Sequence, residues 1–228
     1  MSGASPISRA AIAIAALGVV TAASRAGVTN PFTEDFAAGP SNWLDASSQD
    51  TLSWFATGGP DGGSYVSTSY LVPDPIPPFG AIVFRGNGAN DASNGAFTGD
   101  WITAGVSEFS FSIRHDAPTP LSVFARWSVA GNFPGFAGVW FDPILPNTWT
   151  QITIPIYEGS PYLFDEGFPF DAVFSAIENV QIGINPSMDL IGQNITIDLD
   201  KVAIAPSPGA VALLGLAAVG GVGRRRRR

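Results

Sequence analysis

Across the second half of the chain, apolar and polar side chains alternate with a period of two, and no other feature restricts the possible folds as much. In Val106 to Arg114, Phe109, Phe111 and Ile113 point one way, and Glu108, Ser110, Ser112 and Arg114 the other. In Leu121 to Val129, Val123, Ala125 and Trp127 alternate with Ser122, Phe124, Arg126 and Ser128. The pattern returns as Ile152, Ile154 and Ile156 in Trp149 to Tyr157, as Val180, Ile182 and Ile184 in Asn179 to Asn185, and as Ile195, Ile197 and Leu199 in Asn194 to Ile204. On a helix this spacing would scatter the apolar groups around the axis, whereas a strand sends successive side chains to opposite faces. These runs are therefore half-buried strands, and the Gly, Pro, Asn and Asp between them supply the turns.

The first half is less regular but of the same kind. Asn30 to Phe36 opens the domain as an extended segment, and Leu52, Trp54 and Phe55 mark a short strand. Thr57 to Gly63 must be a loop, because Gly and Pro at that density cannot hold a ladder. Tyr65 to Val72 and Ala81 to Arg85 are strands on either side of a Pro-rich connection. Further on, Gly131 to Gly138 reads as an aromatic loop, Val139-Trp140-Phe141 as a short strand, and Phe170 to Ile177 as a turn or two of helix. Nine to twelve strands are expected, giving an all-β fold: a two-sheet antiparallel jelly-roll-like sandwich.

The termini differ in kind. Met1 to Arg9, the apolar Ala10 to Val20 and the small residues of 21–26 have the layout of a secretory signal peptide. At the other end stand Pro206-Ser207-Pro208, an apolar run from Gly209 to Gly223 and five arginines, Arg224 to Arg228. As a helix the run spans roughly 22 Å at about 1.5 Å per residue, short of a hydrocarbon core of about 30 Å. An arginine block beside it would stay on the cytoplasmic side of a membrane. The expected division is a signal peptide at 1–26, a β-sandwich at 27–205 and a sorting or anchor segment at 206–228. A signal helix and a C-terminal hydrophobic helix would then flank the sandwich.

In that order, Pro206-x-Pro208, the Leu/Ala/Gly run and the terminal arginines resemble the PEP-CTERM sorting signal of Gram-negative and related bacteria. One departure is that the usual Val-Pro-Glu-Pro reads Ala205-Pro206-Ser207-Pro208 here. The resemblance implies an exosortase-type membrane protease as partner, after signal peptidase. It also implies transient anchoring in the inner membrane and delivery to the cell surface or extracellular matrix. Pro206, Pro208, Arg224, Arg225 and Arg226 would carry the sorting function.

All nineteen acidic residues lie between Glu34 and Asp200, and the only basic ones in 27–205 are Arg85, Arg114, Arg126 and Lys201. The domain is thus near −15, although the whole chain sums to −8. Such a surface repels phosphate backbones and excludes nucleic acid as a partner. With no cysteine, the core must hold the fold together. His115 is the single histidine, set beside Asp116 in what reads as a solvated turn, so neither a Ser-His-Asp triad nor a zinc site of N and S ligands is expected. Glycoside hydrolysis needs two carboxylates across a sugar ring. Asp198 and Asp200 are the best same-face pair, and a pair on the terminal strand reads better as a metal site or a solvated face. The domain is therefore read as non-catalytic.

Sugar recognition needs aromatic platforms beside planar hydrogen-bonding groups. The outward positions inferred above carry Arg114, Phe124, Arg126 and Gln151, with Ser110, Ser112, Gln181 and Asn185. Trp140 or Phe136 from the neighbouring loop could provide stacking. Two arginines are expected to meet on this face, in a domain otherwise poor in positive charge.

Glu34-Asp35-Phe36, the Gly-Gly loop before Tyr65, Thr98 to Trp101 leading into Phe109-Ser110-Phe111, and Ile197 to Val202 resemble bacterial carbohydrate-binding-module and laminin-B-like sandwiches. The resemblance implies binding of extracellular polysaccharide and a structural calcium tying first strand to last, through Glu34 or Asp35 with Asp198 or Asp200. A purely structural surface protein and a glycan hydrolase or lyase stand as alternatives.

Overall fold

The computed structural model describes residues 27–206. The expected signal segment, the apolar run, and Pro208, Arg224, Arg225 and Arg226 lie outside the described residues. Among the described residues, no helix is long and apolar enough to cross a membrane.

The alternating segments form strands in two antiparallel sheets, as expected. In chain order they are β1 (Phe32–Glu34), β2 (Ser53–Phe55), β3 (Tyr65–Leu71), β4 (Ala81–Asn87), β5 (Val106–His115), β6 (Ser122–Ser128) and β7 (Gly135–Val139). After them come β8 (Thr150–Pro155), β9 (Leu163–Asp165), a short helix α1 (Phe170–Phe174), β10 (Asn179–Asn185) and β11 (Asn194–Pro206). One sheet has six strands in the order β2-β3-β11-β5-β8, with β1 also paired to β11; the other has five, β4-β10-β6-β7-β9.

The core lies between the sheets, built from the residues the alternation selects. Phe109, Phe111, Ile113, Ile152, Ile154, Ile197 and Leu199 come from the first sheet, and Val123, Ala125, Trp127, Val180, Ile182 and Ile184 from the second, all fully buried. Each of these side chains larger than alanine contributes about 1.5–3 kcal/mol by leaving water. Trp127 stands edge-on to Phe109 at 5.2 Å and 90°, a geometry that sets a ring's positive edge against a negative face. Helix α1 closes one end with Phe174, packed 5.8 Å from Trp127.

Residues 135–139 are strand β7 and not part of a loop, a correction to the expected Gly131 to Gly138 loop. The glycines that argue against a strand are there for packing: a Cβ on Gly138 would lie 2.5 Å from the Trp127 ring. Strand propensity is overridden by the partner across the sheet. The ladder ends at Val139, so the expected strand at Val139-Trp140-Phe141 is not formed.

His115 also departs from its expected place. It ends β5 at 1% exposure, with Nε2 3.2 Å from the Ile144 carbonyl. As that oxygen accepts, Nε2 carries the proton. Burial holds the imidazole below its ordinary pKa of 6.5, because the charged ring would be desolvated.

Candidate functional site

The two sheets have two outer faces, and the expected sugar-contacting residues divide between them. β5 and β8 belong to the six-stranded sheet, so Arg114 and Gln151 lie on its outer side; β6 belongs to the five-stranded sheet, which carries Phe124 and Arg126. The two arginines therefore do not meet. Phe124 is buried, lying over Gly183, where a Cβ would stand 2.1 Å from its ring. Trp140 is half-buried against the core and faces Tyr162 at 6.5 Å.

Arg126 is fully used within the domain. Its Nε and Nη2 donate to the Glu166 carboxylate at 2.6 and 2.8 Å. Nη1 donates to Asn132 Oδ1 at 2.9 Å and Gln181 Oε1 at 3.0 Å, and Nη2 also to the Asn132 carbonyl at 2.9 Å. A guanidinium has five N–H donors, and all five are engaged. Arg126 pins the loop after β6 and the β9 edge to the middle of its sheet.

Arg114 is placed differently. Its Nε and Nη2 both reach Asp198 Oδ2, at 2.8 and 2.7 Å, while Nη1 has no hydrogen-bond partner among the described residues. The guanidinium lies over Trp149 at 4.7 Å and Tyr65 at 5.3 Å. Those cation–π contacts contribute about 0.5–2 kcal/mol each and hold the fork flat. Tyr65 is stacked on Phe55 at 4.9 Å and 10°, and Phe55 is 44% exposed. A groove of about 220 Å³ opens beside them, with Asp116, Asn147 and Asp198 among its walls.

Alternation explains this placement. Phe55 and Tyr65 are direct cross-strand partners, and Asp198 pairs with both Ser67 and Arg114. Trp149 has the parity of Gln151, opposite to core residues Ile152 and Ile154. Phe55, Tyr65 and Trp149 were not selected from the sequence. The available signal was aromatic residues out of phase with the core on three segments.

The four expected metal ligands do not form one cluster, and among the described residues no group of three or more His, Cys, Asp or Glu side chains is placed to hold a metal ion. Asp198 serves Arg114. Glu34 Oε1 accepts the Phe36 N–H at 2.8 Å. Asp200 is different: it is fully buried, Oδ1 accepts the Lys201 N–H at 2.7 Å, and Oδ2 is buried without a partner. Gly59, in the loop covering it, is so close that a Cβ there would stand 3.0 Å from Oδ2. Burial pushes the Asp200 carboxyl up to about 6, and the nearby Asp61 and Asp35 charges add to the shift. Lys201, at positive φ in the β11 bulge, turns away to pair with Asp61 at 2.8 Å.

No protein-family model matches the sequence, and no curated protein does. Among solved structures, an exo-β-agarase is similar over 79% of this chain, at TM-score 0.51 and 10% identity. The CBM22-1-GH10 modules of Clostridium thermocellum xylanase 10B, complexed with xylohexaose, match over 78% at 0.46 and 14%. The family 11 carbohydrate-binding module of that organism, in complex with a β-1,3-1,4-mixed-linked tetrasaccharide, matches over 79% at 0.45 and 15%. The chain spans 26% of the agarase, 29% of the xylanase and 98% of the family 11 module. The agarase likeness shows the sandwich fold.

Proposed function

We propose that this protein is an exported, non-catalytic β-sandwich that binds glycan in the Arg114 groove, on the outer face of the six-stranded sheet. The observation carrying this reading is a guanidinium lying over two aromatic rings, themselves in edge-to-face contact, with one nitrogen still available, next to an exposed ring. A pyranose presents an apolar C–H face and a rim of hydroxyls. Phe55 offers the stacking surface, while Arg114 Nη1, Asn147 and the Asp116 and Asp198 carboxylates offer hydrogen bonds to hydroxyls. Gln151 extends the same face, and the carbohydrate-binding modules among the structural neighbours agree in class.

Export and surface sorting rest on the sequence signals in 1–26 and 206–228, with signal peptidase and an exosortase-type protease as partners. Asp200 is the position proposed to hold calcium, with Asp61 and Asp35 near enough to act on its charge but not gathered with it into one ligand group. Its unpartnered Oδ2 is the feature that fits a hard cation, which takes six to eight oxygen ligands.

The test is a glycan-array screen of the secreted protein, with and without chelator, followed by titration of the best ligand. Arg114→Ala or Phe55→Ala should weaken binding about tenfold or more, as loss of about 1.4 kcal/mol implies. Full binding by both variants refutes the groove.

A further inference from the structure

The chain leaves the sandwich beside an apolar groove. β11 ends at Pro206 in register with Val106. Val106 is itself a wall of a hollow of about 220 Å³, lined also by Trp101, Ile102, Tyr157, Phe170 and Phe174. A second hollow of about 270 Å³ shares Tyr157, Glu158 and Phe170 with the first and adds Phe168 and Asp165. Ile102, Tyr157 and Phe168 are 46%, 51% and 39% exposed, so the lips of the groove are apolar as well.

We propose that this groove receives the chain's own apolar run, residues 209–223, when no bilayer holds it. Position comes first. The run begins three residues after Pro206, and Leu213 can lie at most about 25 Å from it. The exposed Leu71, Phe79 and Met188 stand at the opposite end of the sandwich, about 40 Å away along the 13 residues of β11 at ~3.3 Å each. Of these two ends, the near one is within reach of Leu213. Chemistry agrees, because Leu213, Leu214 and Leu216 each gain about 1.5–3 kcal/mol by leaving water. Charge agrees too. Glu158 and Asp165 stand at the groove, on a domain with nineteen acids and four basic residues, and the run is followed by five arginines. Where no bilayer holds it, a segment this apolar is exposed to water, and a docking site beside its own exit removes that exposure.

The chain contains no cysteine, so an engineered pair reports without competition. In the full chain, free of detergent, Tyr157→Cys with Leu213→Cys should form an intramolecular disulfide under mild oxidation, at a yield independent of protein concentration. Phe79→Cys with Leu213→Cys should not. Tyr157 and Phe79 are both exposed, so neither change disturbs the core. No cross-link at Tyr157, equal cross-linking at both sites, or a product of twice the mass would each overturn the proposal, the last in favour of a second copy. Glycan binding at Arg114 is read separately and stands or falls independently of this result.

Discussion

Asp200→Asn separates the electrostatics of the buried carboxylate from its packing. The carboxyl rises from its ordinary 3.8 to about 6, and each unit corresponds to about 1.36 kcal/mol. Its charged form therefore weighs on the fold by at most about 3 kcal/mol. The sign follows from proton uptake. Between pH 3.8 and about 6 the folded state binds more protons than the unfolded chain, so stability falls as pH rises through that window. At pH 7 without calcium the wild type bears the full cost. Asn keeps the shape and removes the charge, so it should stabilise by about 1–3 kcal/mol at pH 7 and about zero at pH 4. For a domain of this size, that is about 2–4 °C in Tm per kcal/mol. The assay is urea unfolding in chelator at pH 4, 5, 6 and 7, followed by its repetition in millimolar calcium. Calcium should raise the stability of the wild type and leave the variant unmoved. A variant less stable than wild type at pH 7 in chelator refutes the argument, because the carboxylate would then be satisfied by contacts other than those described.

Three further outcomes follow from the packing. Arg126→Ala strands Glu166 and Gln181 and should cost about 2–4 kcal/mol in urea unfolding, yet leave glycan affinity unchanged. Gly138→Ala forces a methyl against the Trp127 ring, 2.5 Å away; a loss of about 1–3 kcal/mol is expected from overpacking, with the near-ultraviolet signal of the tryptophans altered. On the surface-released protein, mass spectrometry should find a C-terminus near Pro206 to Pro208, and recovery of intact Arg224 to Arg228 would refute cleavage at the sorting signal.

Period-two alternation was enough to identify the strand part of the core, whereas Phe36, Trp43, Phe97 and Trp101, buried outside the strands, carry no such signal. Phe109, Trp127, Ile154, Ile182 and Leu199 all lie between the sheets because a strand has only two sides and one is dry. β7 was hidden because its glycines, local liabilities in a strand, are required by close neighbours: Gly138 by the ring of Trp127, and Gly135 by the Arg126–Glu166 pair. His115 was hidden for a related reason. His-Asp-Ala-Pro has the composition of a turn, yet the Ile144 carbonyl reaches over to accept from the ring, and only tertiary structure supplies that contact.

Alternation says on which side of its own sheet a residue lies; it does not say which sheet that is. β5 and β6 are consecutive in sequence, so neighbouring strands were the natural expectation, and Arg114 and Arg126 would then share a face. Instead the connection through Pro118 and Pro120 carries the chain from one sheet to the other, and the two guanidiniums end on opposite sides of the molecule. What distinguishes them functionally is donor number. With all five N–H groups engaged, Arg126 could bind a sugar only by breaking a bond inside the domain, at about 1.5–3 kcal/mol for each charged hydrogen bond. Arg114 spends two nitrogens on Asp198 and lies over two rings, so the remaining nitrogen can meet a hydroxyl at no such cost. Two residues identical in type and both facing away from the core thus come to do different work, one as a rivet and one as a recognition group.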